Sequence, residues 1–113
     1  MIIGMDYDGT YTEDPEMWLS VIHSLSDAGH TVIVVTMRFP SEGASMDPDL
    51  VNDYEVVFTS RAAKADSLFK QKGLKPNVWI DDHPIAIYKN AEEIWGVATS
   101  EGDVRSGNGR DLG

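Results

Sequence analysis

A chain of 113 residues supports one domain with a single core, and its 42% apolar and 25% charged residues are those of a globular protein rather than a disordered one. No apolar run approaches the roughly 20 residues of a membrane span, and the N-terminus lacks a basic region before a cleavable apolar segment, so the expectation is a cytoplasmic protein with no membrane partner. A formal charge of −10 repels nucleic-acid phosphates over about 8 Å at physiological salt, which argues against duplex nucleic acid and for a small phosphorylated partner. With no cysteine, disulfides and thiolate metal sites are excluded; oxygen or imidazole must hold any metal.

In chain order, Met1-Ile2-Ile3-Gly4-Met5 is a short apolar run that ends at an acidic cluster and reads as a buried strand. Asp14-Pro15 predicts a helix start, with Asp14 as the cap and Pro15 at the first helical position. Met17, Trp18, Val21, Ile22, Leu25 and Ala28 follow at helical spacing until Gly29. Val32-Ile33-Val34-Val35 is the β-branched run of a strand buried on both faces, ending at Thr36. Residues 37–54, rich in Pro, Ser, Gly and Asp, predict a long loop with at most a turn of helix, and loops of that length are often functional. Val56-Val57-Phe58 predicts a third strand. Ser60 then reads as the cap of a helix to about Lys72, with Ala62, Ala65, Leu68 and Phe69 inward and Gly73 closing it. Val78-Trp79-Ile80 predicts a fourth strand ending at Asp81-Asp82, His83-Pro84 the start of a helix through about Glu93, and Gly96-Val97-Ala98 a last short strand. The domain is placed at residues 1–98 and a flexible tail at 99–113.

Strands alternating with helices predict an α/β fold, three-layered and Rossmann-like, around a central, mainly parallel sheet. Ligands bind beyond the carboxyl ends of such strands. There the chain gathers Asp6 and Asp8 after the first strand, Thr36 after the second, Asp81 and Asp82 after the fourth, and the helix start that carries Lys64. Carboxylates about 4 Å apart repel by about 4 kcal/mol at an effective dielectric near 20, so the set calls for a cation. Hard carboxylate oxygens, no cysteine and few histidines point to Mg²⁺ rather than zinc. One strand-end Asp is as readily a turn or helix cap as a ligand; the set together argues for a site.

Asp6-Tyr7-Asp8-Gly9-Thr10 after an apolar strand, Thr36 after Val32–Val35, Lys64 near a helix start and Ile80-Asp81-Asp82 after a strand resemble, in order, the four motifs of the haloacid dehalogenase-like superfamily, over about residues 1–90. Trp79-Ile80-Asp81-Asp82-His83-Pro84 resembles the acidic-pair form of the fourth motif. The resemblance implies a Mg²⁺-dependent phosphomonoester hydrolase. Asp6 would attack phosphorus and become an aspartyl phosphate, and Asp8 would protonate the leaving alcohol and then take a proton from water. Thr36 and Lys64 would hold the phosphoryl oxygens. The Asp6 carboxylate, the Asp8 main-chain carbonyl and Asp81 would bind the metal, with Asp82 a ligand or an outer hydrogen-bond acceptor. Gly9 would turn the chain away from the strand, and Thr10 would orient Asp8. Tyr7, Thr10 and Arg38 are further candidates for substrate contact, although Arg38 reads equally well as an ordinary loop residue. Lys70 is the rival of Lys64, but it lies about 9 Å further along the helix and about 240° around it, so Lys64 in the first turn is preferred. His83 reads as structural, Trp18 and Trp79 as core.

One helix and one strand fill the stretch from Asp6 to Thr36, and a loop and one strand fill that from Thr36 to Lys64. Neither holds a cap domain. The resemblance is therefore to a capless member, with the 37–54 loop as the only candidate lid. Asp8 favours phosphoryl chemistry over carbon–halogen cleavage, because dehalogenases of the superfamily lack the second acidic residue. Aspartate pairs also occur in its deoxynucleotidases and polynucleotide end-processing phosphatases, which makes a nucleotide or a nucleic-acid terminal phosphate the leading substrate. Two other readings stay open. One is a catalytically idle relative serving as an interaction module. The other is a signalling receiver domain, whose phosphoacceptor would have to be Asp47, Asp49 or Asp53, none of which follows an apolar run.

Overall fold

The structure, a computed structural model, describes residues 1–96. Of the last strand expected at Gly96-Val97-Ala98, Gly96 instead closes a helix in a left-handed conformation, and Val97-Ala98 and the tail at 99–113 lie outside the described residues. Strands β1 (Ile2–Met5), β2 (Thr31–Thr36), β3 (Glu55–Phe58) and β4 (Val78–Ile80) form one parallel sheet in the order β3-β2-β1-β4. Ile3 is in register with Val32 on one side and Val78 on the other. The chain steps outward from β1 to β3, then returns to the far side of β1. The strand order thus reverses between β1 and β4, the place where open parallel sheets bind ligands.

Helix α1 (Pro15–Asp27) starts as its sequence predicts: the Asp14 carboxylate accepts the Met17 N–H at 3.3 Å, and Pro15 occupies the first turn. Through Ile22, with Trp18, Leu19 and Leu25 half-buried beside it, α1 covers the sheet face made by Ile3, Met5, Val32 and Val34. Leu50, from the one-turn helix α2 (Pro48–Val51), and Met46 complete that core. Helix α3 (Lys64–Lys72) covers the opposite face, where Leu68 packs on Ile33, Val35 and Val57. Covered on both sides, β2 needs apolar residues at every central position, which explains its unbroken Val-Ile-Val-Val run. The expected three-layer architecture is present, and no cap-like insertion interrupts it.

Three local expectations fail. Residues 37–54 are more ordered than a loop, holding a 3₁₀ helix at Pro40–Ser45 as well as α2. Ser60 is no helix cap: it and Arg61 have φ of 53° and 70°, and α3 begins only at Lys64, so Ala62 precedes the helix and Phe69 faces solvent. A tight turn takes precedence there, closed by Thr59 Oγ1 donating to the Ala62 carbonyl at 2.7 Å. No side chain caps α3; the N–H of Ala63, the residue before it, is instead held from afar by Asn90 Oδ1 at 2.8 Å. The single helix expected from His83 to Glu93 is two, α4 (Ile85–Tyr88) and α5 (Ala91–Trp95). Lys89 between them is extended, the Ala91 N–H is drawn to the Arg61 carbonyl at 2.8 Å, and the Glu93 carboxylate takes the Asn90 N–H at 3.1 Å. Among the described residues no helix is long and apolar enough to cross a membrane.

Candidate active site

The sheet delivers the acidic residues to one point. The Asp6 N–H donates to the Ile80 carbonyl at 2.9 Å, continuing the β1–β4 pairing one residue past β1, so Asp6 and Asp81 leave adjacent strand ends together. Lys64, the first residue of α3, has no exposed surface, and its Nζ lies 2.7 Å from both Asp6 Oδ1 and Asp81 Oδ2. Thr10 Oγ1 accepts the Asp82 N–H at 3.0 Å and lies 2.8 Å from Asp6 Oδ2 and 3.0 Å from Asp82 Oδ1, with one proton to share between the two carboxylates. Thr10 therefore orients Asp6 and Asp82, and not Asp8 as the resemblance implies. Gly9, at φ +88°, brings its Cα so close to Asp82 that a Cβ there would stand 2.6 Å from Asp82 Oδ2. Only glycine meets both conditions.

Oxygens of Asp6, Asp81 and Asp82 all lie within 4.8 Å of one another. Ionised together, three carboxylates facing one ammonium leave two negative charges in a small volume, which a divalent cation would balance. The donors are hard oxygens throughout, so the residues present fit such a cation, and the cluster can hold a divalent metal. Without one, the protein relieves the same excess with a proton. Burial pushes the Asp6 carboxyl up to about 8 against the pull of Lys64, helped by its hydrogen bond with Asp82. Burial also works on Asp82, but hydrogen bonds from Asp6 and Thr10 outweigh it and hold that carboxyl below its ordinary value.

No family model, curated protein or solved structure matches this chain.

Asp8 is not one of the clustered carboxylates and is clamped by Arg38, Nε to Oδ2 at 2.8 Å and Nη2 to Oδ1 at 2.7 Å, which in turn raises the guanidinium above its ordinary value. Thr36 is fully buried at the end of β2, and its Oγ1 accepts the Arg38 N–H at 3.3 Å. The Tyr7 ring turns into the core, stacks on Tyr11 and accepts the Asp47 N–H on its hydroxyl at 2.9 Å, so only its backbone is left for a ligand. Lys70 stays on the outer face of α3, 2.9 Å from Asp66. Asp47 caps α2 and accepts the Tyr11 hydroxyl at 2.7 Å instead of ending a strand, and gives no support to a receiver-type phosphoacceptor there. His83 anchors through its N–H to Asp81 Oδ1 at 2.9 Å, and its ring stacks on Trp95. Trp18 and Trp79 are half-buried rather than fully interior. Trp79 lies directly across Gly4, where a Cβ would meet its ring at 2.6 Å.

Sequence reasoning missed Arg61. Its buried guanidinium donates to the Met37 carbonyl at 2.7 Å, pairs with Glu42 at 3.1 Å and covers the Phe39 ring, tying the turn before Lys64 to residues 37–42. Its sequence context is a polar turn. The only available signal was its position three residues before Lys64.

Proposed function

We propose that this chain is a Mg²⁺-dependent phosphomonoester hydrolase of the haloacid dehalogenase-like type, acting through an aspartyl phosphate on Asp6, with a nucleotide or a nucleic-acid terminal phosphate as its substrate. The observation that carries the reading is Asp6: a buried carboxylate at a strand end, with Lys64 on one oxygen, Thr10 on the other and two further carboxylates within reach. A structural carboxylate has no need of two acidic neighbours. A nucleophile sharing a cation with its substrate does.

In this reading an Asp6 oxygen forms a bond to phosphorus as the ester P–O bond breaks, and the departing oxygen takes a proton from Asp8. Water then attacks phosphorus, gives a proton to Asp8 and releases Asp6. Such acid–base help is typically worth about 10²–10⁴ in rate. Arg38 would release Asp8 and turn to an oxygen of the incoming substrate. Lys64, buried against Asp6, and Thr36, buried at the end of β2, would donate to the phosphoryl oxygens. Mg²⁺, held by the Asp6 carboxylate, the Asp8 main-chain carbonyl, Asp81 and Asp82, would supply charge neutralisation at the phosphoryl group.

The test is phosphate release from a generic aryl phosphate. Release is expected to require Mg²⁺, to stop with chelator and to vanish in Asp6→Asn, while Asp8→Asn slows turnover and leaves phosphoenzyme detectable. Full activity in Asp6→Asn would remove the nucleophile assignment. No turnover of any phosphate ester would favour the idle interaction module instead.

A further inference from the structure

We infer that the groove beside the acidic cluster takes the alcohol part of the substrate, and that it selects monophosphates whose alcohol carries a flat ring and no further negative charge. The inference rests on the phosphohydrolase reading above. The groove has a volume of about 690 Å³ and is walled by Asp8, Thr12, Glu13, Asp82, His83 and Trp95. That is far more room than a phosphate needs and is within the range that holds small organic ligands. Asp8 forms one wall, so an ester whose leaving oxygen faces Asp8 directs its alcohol into this space.

Charge decides what the alcohol must lack. The walls carry three carboxyl side chains, Asp8, Glu13 and Asp82, and no Lys or Arg. Among the described residues the cations around the cluster are committed: Lys64 to Asp6 and Asp81, Arg61 to Glu42, and Arg38 to Asp8 or, once released, to the reacting phosphoryl group. Glu13 has no cationic partner among the described residues. A second phosphate or an adjoining phosphodiester would thus enter beside carboxylates with no unengaged Lys or Arg among the described residues of the walls to receive it.

The aromatic wall decides what the alcohol must contain. His83 and Trp95 stack with centroids 4.9 Å apart and planes 25° from parallel. Both are anchored from behind. The His83 N–H is held by Asp81, and Trp95 packs on the buried cluster of Met37, Ala86 and Ala91. A fixed aromatic surface offers a planar ring stacking area at little entropic cost. Of the two substrates proposed above, this favours a free nucleoside monophosphate over a nucleic-acid end, whose neighbouring phosphodiester is the disfavoured feature.

The experiment compares kcat/KM of the full chain with Mg²⁺ on phenyl phosphate, a nucleoside monophosphate, glycerol phosphate, a nucleoside bisphosphate and a phosphorylated dinucleotide. The two ring-bearing monophosphates are expected to exceed the other three. Trp95→Ala should lower the ratio of ring-bearing to ring-free turnover by about three- to tenfold. Glu13→Lys, on an exposed turn, should raise the ratio of bisphosphate to monophosphate turnover, and it reports on the groove even where Trp95→Ala does not fold. Equal turnover of all five esters, or ratios unmoved by Glu13→Lys, would overturn the inference and leave the phosphohydrolase reading intact. Turnover of none would overturn both.

Discussion

Arg38 grips the Asp8 carboxylate with both of its arms, Nε and Nη2, at 2.8 and 2.7 Å. The same guanidinium donates through Nη1 to the Glu42 carbonyl and the Ser45 hydroxyl, and lies 5.1 Å over the Tyr7 ring. One side chain thereby joins the loop after β1 to the 3₁₀ segment at Pro40–Ser45. A two-armed grip needs a planar fork, which lysine lacks. Arg38→Lys is therefore expected to lose much of what Arg38→Ala loses, about 2–3 kcal/mol of stability for the alanine variant. Urea unfolding measures both. A lysine variant as stable as the parent would show that charge alone, not the fork, holds the two loops together.

Lys64 and Lys70 lie on one helix in opposite circumstances. Lys64 is wholly buried between Asp6 and Asp81, whereas Lys70 reaches Asp66 from the surface with most of its side chain exposed. Removing a buried ammonium strands its carboxylates, so Lys64→Met should cost about 3–5 kcal/mol in the metal-free protein. Lys70→Met should leave the unfolding midpoint where it was, because an exposed pair one helical turn apart contributes little. Bound metal should recover part of the Lys64→Met loss by supplying the missing charge. Equal effects of the two substitutions would contradict the burial difference.

Acidity should act on the metal-free protein through Asp6. Its carboxyl rises from the ordinary 3.8 to about 8, so between those values the folded protein holds a proton that the unfolded chain has lost. Stability in chelator should therefore fall as pH rises through that window and level off above it. Asp6→Asn should flatten the slope. Asp82 acts in the opposite sense and lower down: with its carboxyl held below the ordinary value, its contribution is present above about pH 4 and is lost on acidification. A divalent metal must displace the Asp6 proton, so binding near pH 7 should release a proton, seen as calorimetric heats that depend on the buffer. Metal affinity that does not change with pH across the window would remove Asp6 from the ligand set.

The features that depend on neighbouring residues were legible in the sequence. Asp14-Pro15 starts α1, Gly73 ends α3 in a left-handed conformation, and the Val32–Val35 run is the central strand buried on both faces. The approach of Asp6, Lys64, Asp81 and Asp82 also followed from their places at strand and helix ends, because an alternating α/β order forces those ends together. Features that depend on distant partners were hidden. Ser60 has the side chain of a cap, but it lies in a turn with positive φ, and Asn90 holds the Ala63 N–H from another element. His83 to Glu93 has the composition of one helix, yet the Arg61 carbonyl draws Ala91 out of it. The Arg38–Asp8 grip joins two loops whose geometry is set only once β1 and β2 are paired.

Gly9 offers the sharpest test of the cluster without touching a carboxylate. Its φ of +88° is poorly tolerated by any residue with a Cβ, and that Cβ would lie 2.6 Å from one Asp82 oxygen and 2.9 Å from the other. Gly9→Ala therefore carries two burdens: backbone strain of about 1–2 kcal/mol, and displacement of Asp82 from Thr10 and from its place near Asp6. Strain alone lowers stability equally with and without metal. Displacement of Asp82 adds a loss of metal affinity, so the stabilisation that saturating Mg²⁺ confers should shrink in Gly9→Ala. Comparing the variant with Asp82→Asn separates the two, because Asp82→Asn should weaken metal binding with little backbone cost. If Gly9→Ala unfolds earlier but gains as much from Mg²⁺ as the parent does, the glycine serves the turn alone, and Asp82 belongs outside the metal's coordination.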